Sequence, residues 1–100
     1  MEFIEPWTAI AESIGSTFVN ELQQELPAES MLYGCQVKAI AQRIDCDDVL
    51  FSLDGSSQLA VVHLTWSGKS EQHPWPSTEL FTDEYEFQLK RMLPDAEAYN

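Results

Sequence analysis

Basic residues are scarce in this chain of 100 residues, which carries five lysines and arginines against 17 aspartates and glutamates. The formal net charge is therefore −12 at pH 7. Proteins that bind nucleic acids or anionic membranes use lysine and arginine to neutralise phosphates. We therefore expect no nucleic-acid partner and no membrane partner. An acidic surface favours solubility or a basic protein partner.

Long apolar runs and leader segments are also missing. No stretch approaches the about 20 consecutive apolar residues of a membrane span. The first residues, Met1 to Pro6, include glutamates where a secretory signal has basic residues. The sequence thus predicts a cytoplasmic protein in which Cys35 and Cys46 are reduced thiols. Their spacing matches no common zinc motif, so no metal ligand and no cofactor is predicted.

Catalytic motifs are absent from the sequence as well. It has no glycine-rich phosphate loop, no Gly-x-Ser-x-Gly elbow and no Cys-x-x-Cys pair. No catalytic residue is therefore predicted, and the balance leans away from an enzyme.

The apolar residues predict one α+β domain over residues 1–100. They make up 44% of the chain, which suits a single hydrophobic core. A helical repeat runs from Pro6 to Pro27. Its apolar face consists of Trp7, Ile10, Ile14, Phe18, Leu22 and Leu26. Alternating residues then predict a three-stranded antiparallel meander, with an Asp54-Gly55 hairpin turn between its last two strands. The three predicted strands lie at 37–44, 49–53 and 58–66.

The last part of the chain predicts a short fourth strand at 78–81 and a second helix. Thr82 is the expected N-cap of that helix, and Pro94 its end. Its predicted buried face consists of Phe81, Tyr85, Leu89, Met92 and Leu93. Residues 95–100 are expected to be a frayed tail. The simplest packing places both helices on one face of the sheet.

One loop, residues 66–75, concentrates aromatic and ionisable side chains, including two of the three tryptophans. Aromatic anchors accompanied by a few polar groups are typical of binding hot spots, and loops often carry them. The candidate binding residues in this loop are Trp66, Lys69, Glu71, His73 and Trp75. An alternative is that both tryptophans fold back as lids over an open end of the sheet.

His63 is a further candidate binding residue, in a predicted strand. Histidine is a common metal ligand and a common general base near neutral pH. His63 and His73 could pair with Asp47, Asp48 or Glu71 in such a role. Their spacing matches no metal motif, however, and a hydrogen-bonded histidine in a sheet is the simpler interpretation.

Three aspartates, Asp45, Asp47 and Asp48, lie at the turn predicted between the first two strands. They lack the glycine and the terminal glutamate of a calcium loop, so a structural role in the turn is expected. Arg43 is the nearest basic residue and can pair with one of them.

Three segments, Asp47–Phe51, Ala60–Lys69 and Pro74–Pro76, contain the sequences DDVLF, AVVHLTWSGK and PWP. In these segments the chain resembles a set of short bacterial proteins to which no function is assigned. The resemblance implies a bacterial cytoplasmic protein. It implies no activity and supplies no catalytic residue.

Three functions remain compatible with the sequence. The first is an interaction module, immunity- or antitoxin-like or regulatory, that binds a basic protein through its acidic surface and the 66–75 loop. The second is a small-ligand or metal-binding domain, or an enzyme, that uses His63, His73 and the same loop. The third is a homodimer formed through a sheet edge or an apolar strand face. The net charge and the clustered aromatics favour the first.

Overall fold

The computed structural model describes residues 1–99, which form five strands and three helices. The strands are β1 (Trp7–Ala9), β2 (Val37–Arg43), β3 (Asp48–Leu53), β4 (Leu59–His63) and β5 (Thr78–Phe81). The helices are α1 (Glu12–Glu25), α2 (Glu84–Phe87) and α3 (Leu93–Tyr99). A π-helical turn, Gln88–Met92, joins α2 to α3, and we call the three together the C-terminal helical segment. Over residues 1–99, no helix is both long enough and apolar enough to cross a bilayer.

The strands form one antiparallel sheet in the order β1-β2-β3-β4-β5, which confirms the α+β class. The hairpin between β3 and β4 turns at Gly55, whose φ of 82° is a conformation that glycine adopts without strain. Its register sets Asp48 opposite His63. The short strand predicted at 78–81 is present as β5 and pairs with β4.

The fifth strand, β1, lies where the sequence predicted the start of a helix. Trp7 pairs with Arg43 of β2, and the helix begins only at Glu12. The predicted helix start at Pro6 is therefore wrong. Trp7 and Ile10 belong to apolar clusters on opposite faces of the sheet, so the helical spacing between them does not mark one face of a helix.

Both faces of the sheet are covered, because alternate residues of a strand point to opposite sides. The cluster on the α1 side consists of Ile10, Leu22, Leu26, Leu32, Val37, Val49, Phe51, Ala60, Val62 and Leu64. The cluster on the other side consists of Trp7, Ala41, Leu50, Leu59, Val61, Phe81, Phe87 and Met92. The structure thus differs from the prediction that both helices pack on one face. The reason lies in β4, where Leu59 to Val62 are all buried and so require cover on both sides.

Asp83, rather than the predicted Thr82, caps the C-terminal helical segment. Its side chain accepts a hydrogen bond from the Glu86 N–H at 2.9 Å. The Glu86 carboxylate in turn accepts one from the Thr82 N–H at 2.8 Å. These reciprocal bonds satisfy backbone donors that the first turn leaves unpaired, and the negative charges suit the helix dipole.

The buried face of the C-terminal helical segment differs from the predicted one. Three residues predicted to be buried are 46–69% exposed: Tyr85, Leu89 and Leu93. Phe87 is fully buried instead, with its ring centroid 5.2 Å from that of Trp7 and 5.7 Å from that of Phe81, both edge-on. Trp7, which β1 brings to this face, therefore packs against Phe87. The π-helical turn then changes which face of the helix the following residues lie on.

Pro94 does not end the helix. The Leu93 N–H bonds to the Gln88 carbonyl five residues back, so the wide π-helical turn precedes the proline. Pro94 then lies in the first turn of α3, where its missing N–H is tolerated. Residues 95–99, predicted to be a frayed tail, are helical. Asn100, the rest of that predicted tail, lies outside the described residues.

We expect Phe87→Ala to lower the free energy of unfolding by about 3–5 kcal/mol, because it removes a fully buried ring between two aromatic neighbours. Tyr85→Ala, two residues earlier and 69% exposed, should change it by about 0.5 kcal/mol or less. Urea unfolding of both variants measures the difference. Equal losses would show that the face of this segment is misassigned.

Candidate functional site

A cavity of about 360 Å³ lies at the end of the sheet, on the face that carries the C-terminal helical segment. The side chains that line it come from four parts of the fold: the β3–β4 hairpin, β5, the π-helical turn and the segment before β5. They are Asp48, Val61, His63, Trp75, Ser77, Glu79 and Arg91. Such convergence of polar groups around one aromatic side chain is typical of binding sites.

Asp48 and His63 form the pair at the centre of this cavity. Directly opposite residues of an antiparallel pair have adjacent side chains, and here the His63 Nδ1 and Asp48 Oδ1 lie 2.8 Å apart. One of the pairings considered for His63 from the sequence is therefore present. With Asp48 ionised, Nδ1 carries the donated proton, and in the neutral ring Nε2 can then accept from another group.

Arg91 occupies the second oxygen of Asp48, at 2.8 Å. Burial on its own would raise the pKa of the Asp48 carboxyl, but the hydrogen bonds from His63 and Arg91 outweigh burial and hold that pKa below its ordinary value. Asp48 is therefore the anchor that joins the hairpin to the C-terminal helical segment.

A cluster of ion pairs surrounds Asp48. Arg91 also binds Glu79 at 2.9 Å and Asp95 at 3.2 Å. Arg43 binds Asp45 at 2.7 Å, as expected for one of the turn aspartates, and approaches Asp95 at 3.4 Å. The four carboxylates of Asp45, Asp48, Glu79 and Asp95 outnumber the two guanidinium groups. With His63 neutral, the cluster has a net charge of 2 − 4 = −2.

Cys46 adds a thiol to this region that the sequence analysis did not place in a site. It lies in the turn between β2 and β3, and its sulfur, an Asp48 oxygen and a His63 nitrogen are all within 4.8 Å of one another. Partial burial raises the pKa of the Cys46 thiol. Cys35, the other thiol, packs instead against the α1-side cluster.

A second arrangement of carboxylates holds the 66–75 loop, which we call the tryptophan loop. Glu25 of α1 is fully buried, and its two oxygens accept hydrogen bonds from the N–H groups of Thr65 and Trp66, both at 2.8 Å. Glu21 accepts from the Gly68 N–H at 3.0 Å. Burial and a hydrogen bond with Glu21 raise the pKa of Glu25, and the backbone donors offset this only in part.

The predicted site residues of the tryptophan loop do not form one patch. Trp66 is 43% exposed and packs edge-on against Phe18 of α1, with 5.6 Å between ring centroids. Trp75 is 55% exposed and lines the cavity on the opposite side of the sheet, together with His63. Neither tryptophan is therefore a buried lid.

The remaining loop residues have separate positions. Glu71 accepts hydrogen bonds from the hydroxyls of Thr65 and Ser67, at 2.7 and 2.8 Å, and these bonds lower the pKa of its carboxyl. Lys69 and His73 are exposed, and His73 is not among the residues that line the cavity. The structure thus brings together His63 and Trp75 and leaves His73 outside.

Comparison of the chain with protein-family models, curated proteins and solved structures gives no match in any of the three. The resemblance to short bacterial proteins stays a prediction.

We expect Glu25→Gln to lower the free energy of unfolding by about 1–3 kcal/mol, because the amide group of glutamine cannot accept from both backbone N–H groups. Glu29→Gln, at an exposed side chain that has no partner among residues 1–99, is the matched control and should be nearly neutral. Urea unfolding at neutral pH measures both. A neutral Glu25→Gln would contradict the anchoring role.

The lowered pKa of Asp48 predicts a loss of stability in acid. Its ionised form contributes fully above the ordinary pKa of about 3.9, and the contribution is lost as pH falls through the lower native value. Asp48→Asn should therefore be less stable at neutral pH and lose less on acidification. Unfolding free energies from about pH 6 downwards test this. Asp47→Asn, at an exposed neighbour that forms no ion pair within the described part of the chain, should keep the wild-type slope.

Proposed function

We propose that this domain is a small acidic protein-interaction module that binds a basic protein partner, with the tryptophan loop as its anchor. One observation carries the proposal: Trp66 and Trp75 remain 43% and 55% exposed on a loop whose start, at Trp66, is fixed by a buried carboxylate. Burial of an ionisable group costs free energy. Here the buried group, Glu25, holds a loop that exposes large apolar side chains to solvent.

Fixed tryptophans suit recognition because binding then orders little that was mobile. Glu25 holds the backbone N–H of Trp66, and Phe18 packs against its ring. Pro74 and Pro76 restrict the backbone on either side of Trp75. Rotamer and loop ordering are among the main costs of association, and tryptophan is enriched among residues that dominate binding energy.

The distribution of charge supports a basic partner. Of the five cations, Arg43, Lys90 and Arg91 are engaged in ion pairs within the fold. Within residues 1–99, eight exposed carboxylates have neither an ion pair nor a side-chain hydrogen bond: Glu2, Glu5, Glu12, Glu29, Asp47, Asp54, Glu84 and Glu97. Such an excess attracts a basic protein from a distance and accelerates association at low salt. An immunity-like or regulatory protein in the bacterial cytoplasm is the biological role that fits this behaviour.

The test is capture of partners by the immobilised domain over a salt titration, with the retained proteins identified by mass spectrometry. We expect basic proteins to be retained at low salt and released as salt rises. Trp75→Ala should weaken the Kd for the captured partner by about 30-fold, the equivalent of about 2 kcal/mol. Tyr85→Ala, an exposed aromatic outside the loop, should leave it unchanged.

Two results would count against this function. If no protein is retained at low salt, the proposal of a basic partner is wrong. Equal binding by the Trp75→Ala and Trp66→Ala variants and by wild type removes the tryptophan loop as the anchor and leaves only the charge.

Ligand binding in the cavity is a second candidate function, and the Asp48–His63 hydrogen bond favours it. The bond orients the His63 ring and leaves Nε2 available inside a concave site beside Trp75. The geometry supports a small polar ligand without indicating a reaction. His73 is not needed for this function, in contrast to the pair considered from the sequence.

A further inference from the structure

We propose that Cys46, Asp48 and His63 bind a divalent transition-metal ion of the zinc class at the rim of the cavity. The three side chains offer one sulfur, one oxygen and one nitrogen atom, all within 4.8 Å of one another. Cys46 and His63 are exposed and Asp48 is half-buried, so an ion can enter from solvent.

The fold brings these ligands together through one hairpin. Cys46 and Asp48 are two residues apart, at the turn before β3 and at its first position. His63 is the last residue of β4 and lies directly opposite Asp48. Two ligands therefore come from ordered strand positions. Sites built on strands are positioned more accurately than sites built on loops.

The donor set selects the kind of metal. A thiolate and an imidazole favour zinc and similar ions, whereas calcium and magnesium prefer oxygen ligands alone. Bond lengths of about 2.0–2.3 Å place the donor atoms of a tetrahedral site roughly 3.3–3.8 Å apart. The present separations run from 2.8 Å, between the His63 Nδ1 and the Asp48 Oδ1, to at most 4.8 Å, and rotation of the side chains brings them into that range. Three protein ligands leave a fourth position for water or another ligand.

The surrounding charges permit a cation despite two nearby arginines. The four carboxylates around Asp48 exceed the two guanidinium groups, which leaves a net charge of −2 for a divalent ion to neutralise. Arg91 binds Oδ2 of Asp48, so Oδ1 is available to the metal once its hydrogen bond with His63 opens. The neutral imidazole then binds the metal through its unprotonated ring nitrogen and keeps its one N–H proton on the other nitrogen. On binding, the Cys46 thiol releases its proton to solvent, and its thiolate forms the bond to the metal.

Titration of the fully reduced protein with Co²⁺, followed by displacement with Zn²⁺, tests the site. We expect one Co²⁺ per chain, with the near-ultraviolet absorption of a cobalt–thiolate bond, and loss of that signal when Zn²⁺ is added. Affinity should fall as pH falls, because protons compete for the thiolate.

The chain supplies matched controls, since it has two cysteines and two histidines. Cys46→Ser should abolish the cobalt–thiolate band, and His63→Gln should weaken binding by at least about tenfold. Cys35→Ser and His73→Gln should bind as wild type does. Far-ultraviolet circular dichroism verifies that each variant is folded.

Each other outcome overturns the proposal. Absence of stoichiometric binding removes the site. A band that Cys35→Ser abolishes assigns the metal to the other thiol. Binding that survives both Cys46→Ser and His63→Gln is adventitious binding to the acidic surface.

The metal site does not depend on the proposed partner binding, and the two can fail separately. Trp75→Ala removes an anchor for the partner and leaves all three metal ligands in place. Cys46→Ser removes a metal ligand and leaves the tryptophan loop unchanged. Partner capture and Co²⁺ titration, each carried out on Trp75→Ala and on Cys46→Ser, therefore show which proposal holds.

Discussion

The guanidinium group of Arg91 joins parts of the chain that the sheet alone would leave separate. It binds Asp48 at the start of β3, Glu79 in β5 and Asp95 in α3, at 2.8, 2.9 and 3.2 Å. It also lies 5.9 Å from the ring centroid of Trp7 in β1, a cation–π distance. Its side chain is only 18% exposed, so solvent and salt screen these contacts less than they screen a surface ion pair. The position of the C-terminal helical segment, and with it one wall of the cavity, depends on this residue.

Two buried or half-buried carboxylates, Asp48 and Glu25, are stabilised by different kinds of partner. Asp48 has a cationic partner in Arg91, and its pKa is lowered. Glu25 is bound by backbone N–H groups and lies beside a second carboxyl, Glu21, and burial raises its pKa. Their contributions to stability therefore change in opposite directions as pH rises. The contribution of Asp48 is lost in acid, whereas that of Glu25 is greatest below its ordinary pKa and declines as pH rises through its native value. The tryptophan loop is thus held by a group whose burial disfavours its charged form.

Local patterns were sufficient to predict the hairpin and most of the sheet. The position of the Asp-Gly turn at Gly55 also determines which residues of β3 and β4 pair, including Asp48 with His63. This pair could therefore have been derived from the sequence. The arrival of Arg91 could not, because a π-helical turn changes the phase of a helix and leaves no periodic signal. β1 was missed for a similar reason, since three residues are too few to show alternation. The prediction that both helices pack on one face was wrong because it did not take into account the continuous apolar run in β4, which requires cover on each side.

The contacts of Trp7 connect the two ends of the chain. Its indole Nε1–H donates to the Asp95 carboxylate at 2.9 Å, and its ring packs against Phe87. The strand that carries it has only three residues and pairs with a single neighbour. Neither end therefore has a well-covered interior of its own. We therefore expect the first and last elements to open and close as one cooperative unit, so that their backbone amides share a common free energy of opening in hydrogen exchange, below that of β3 and β4.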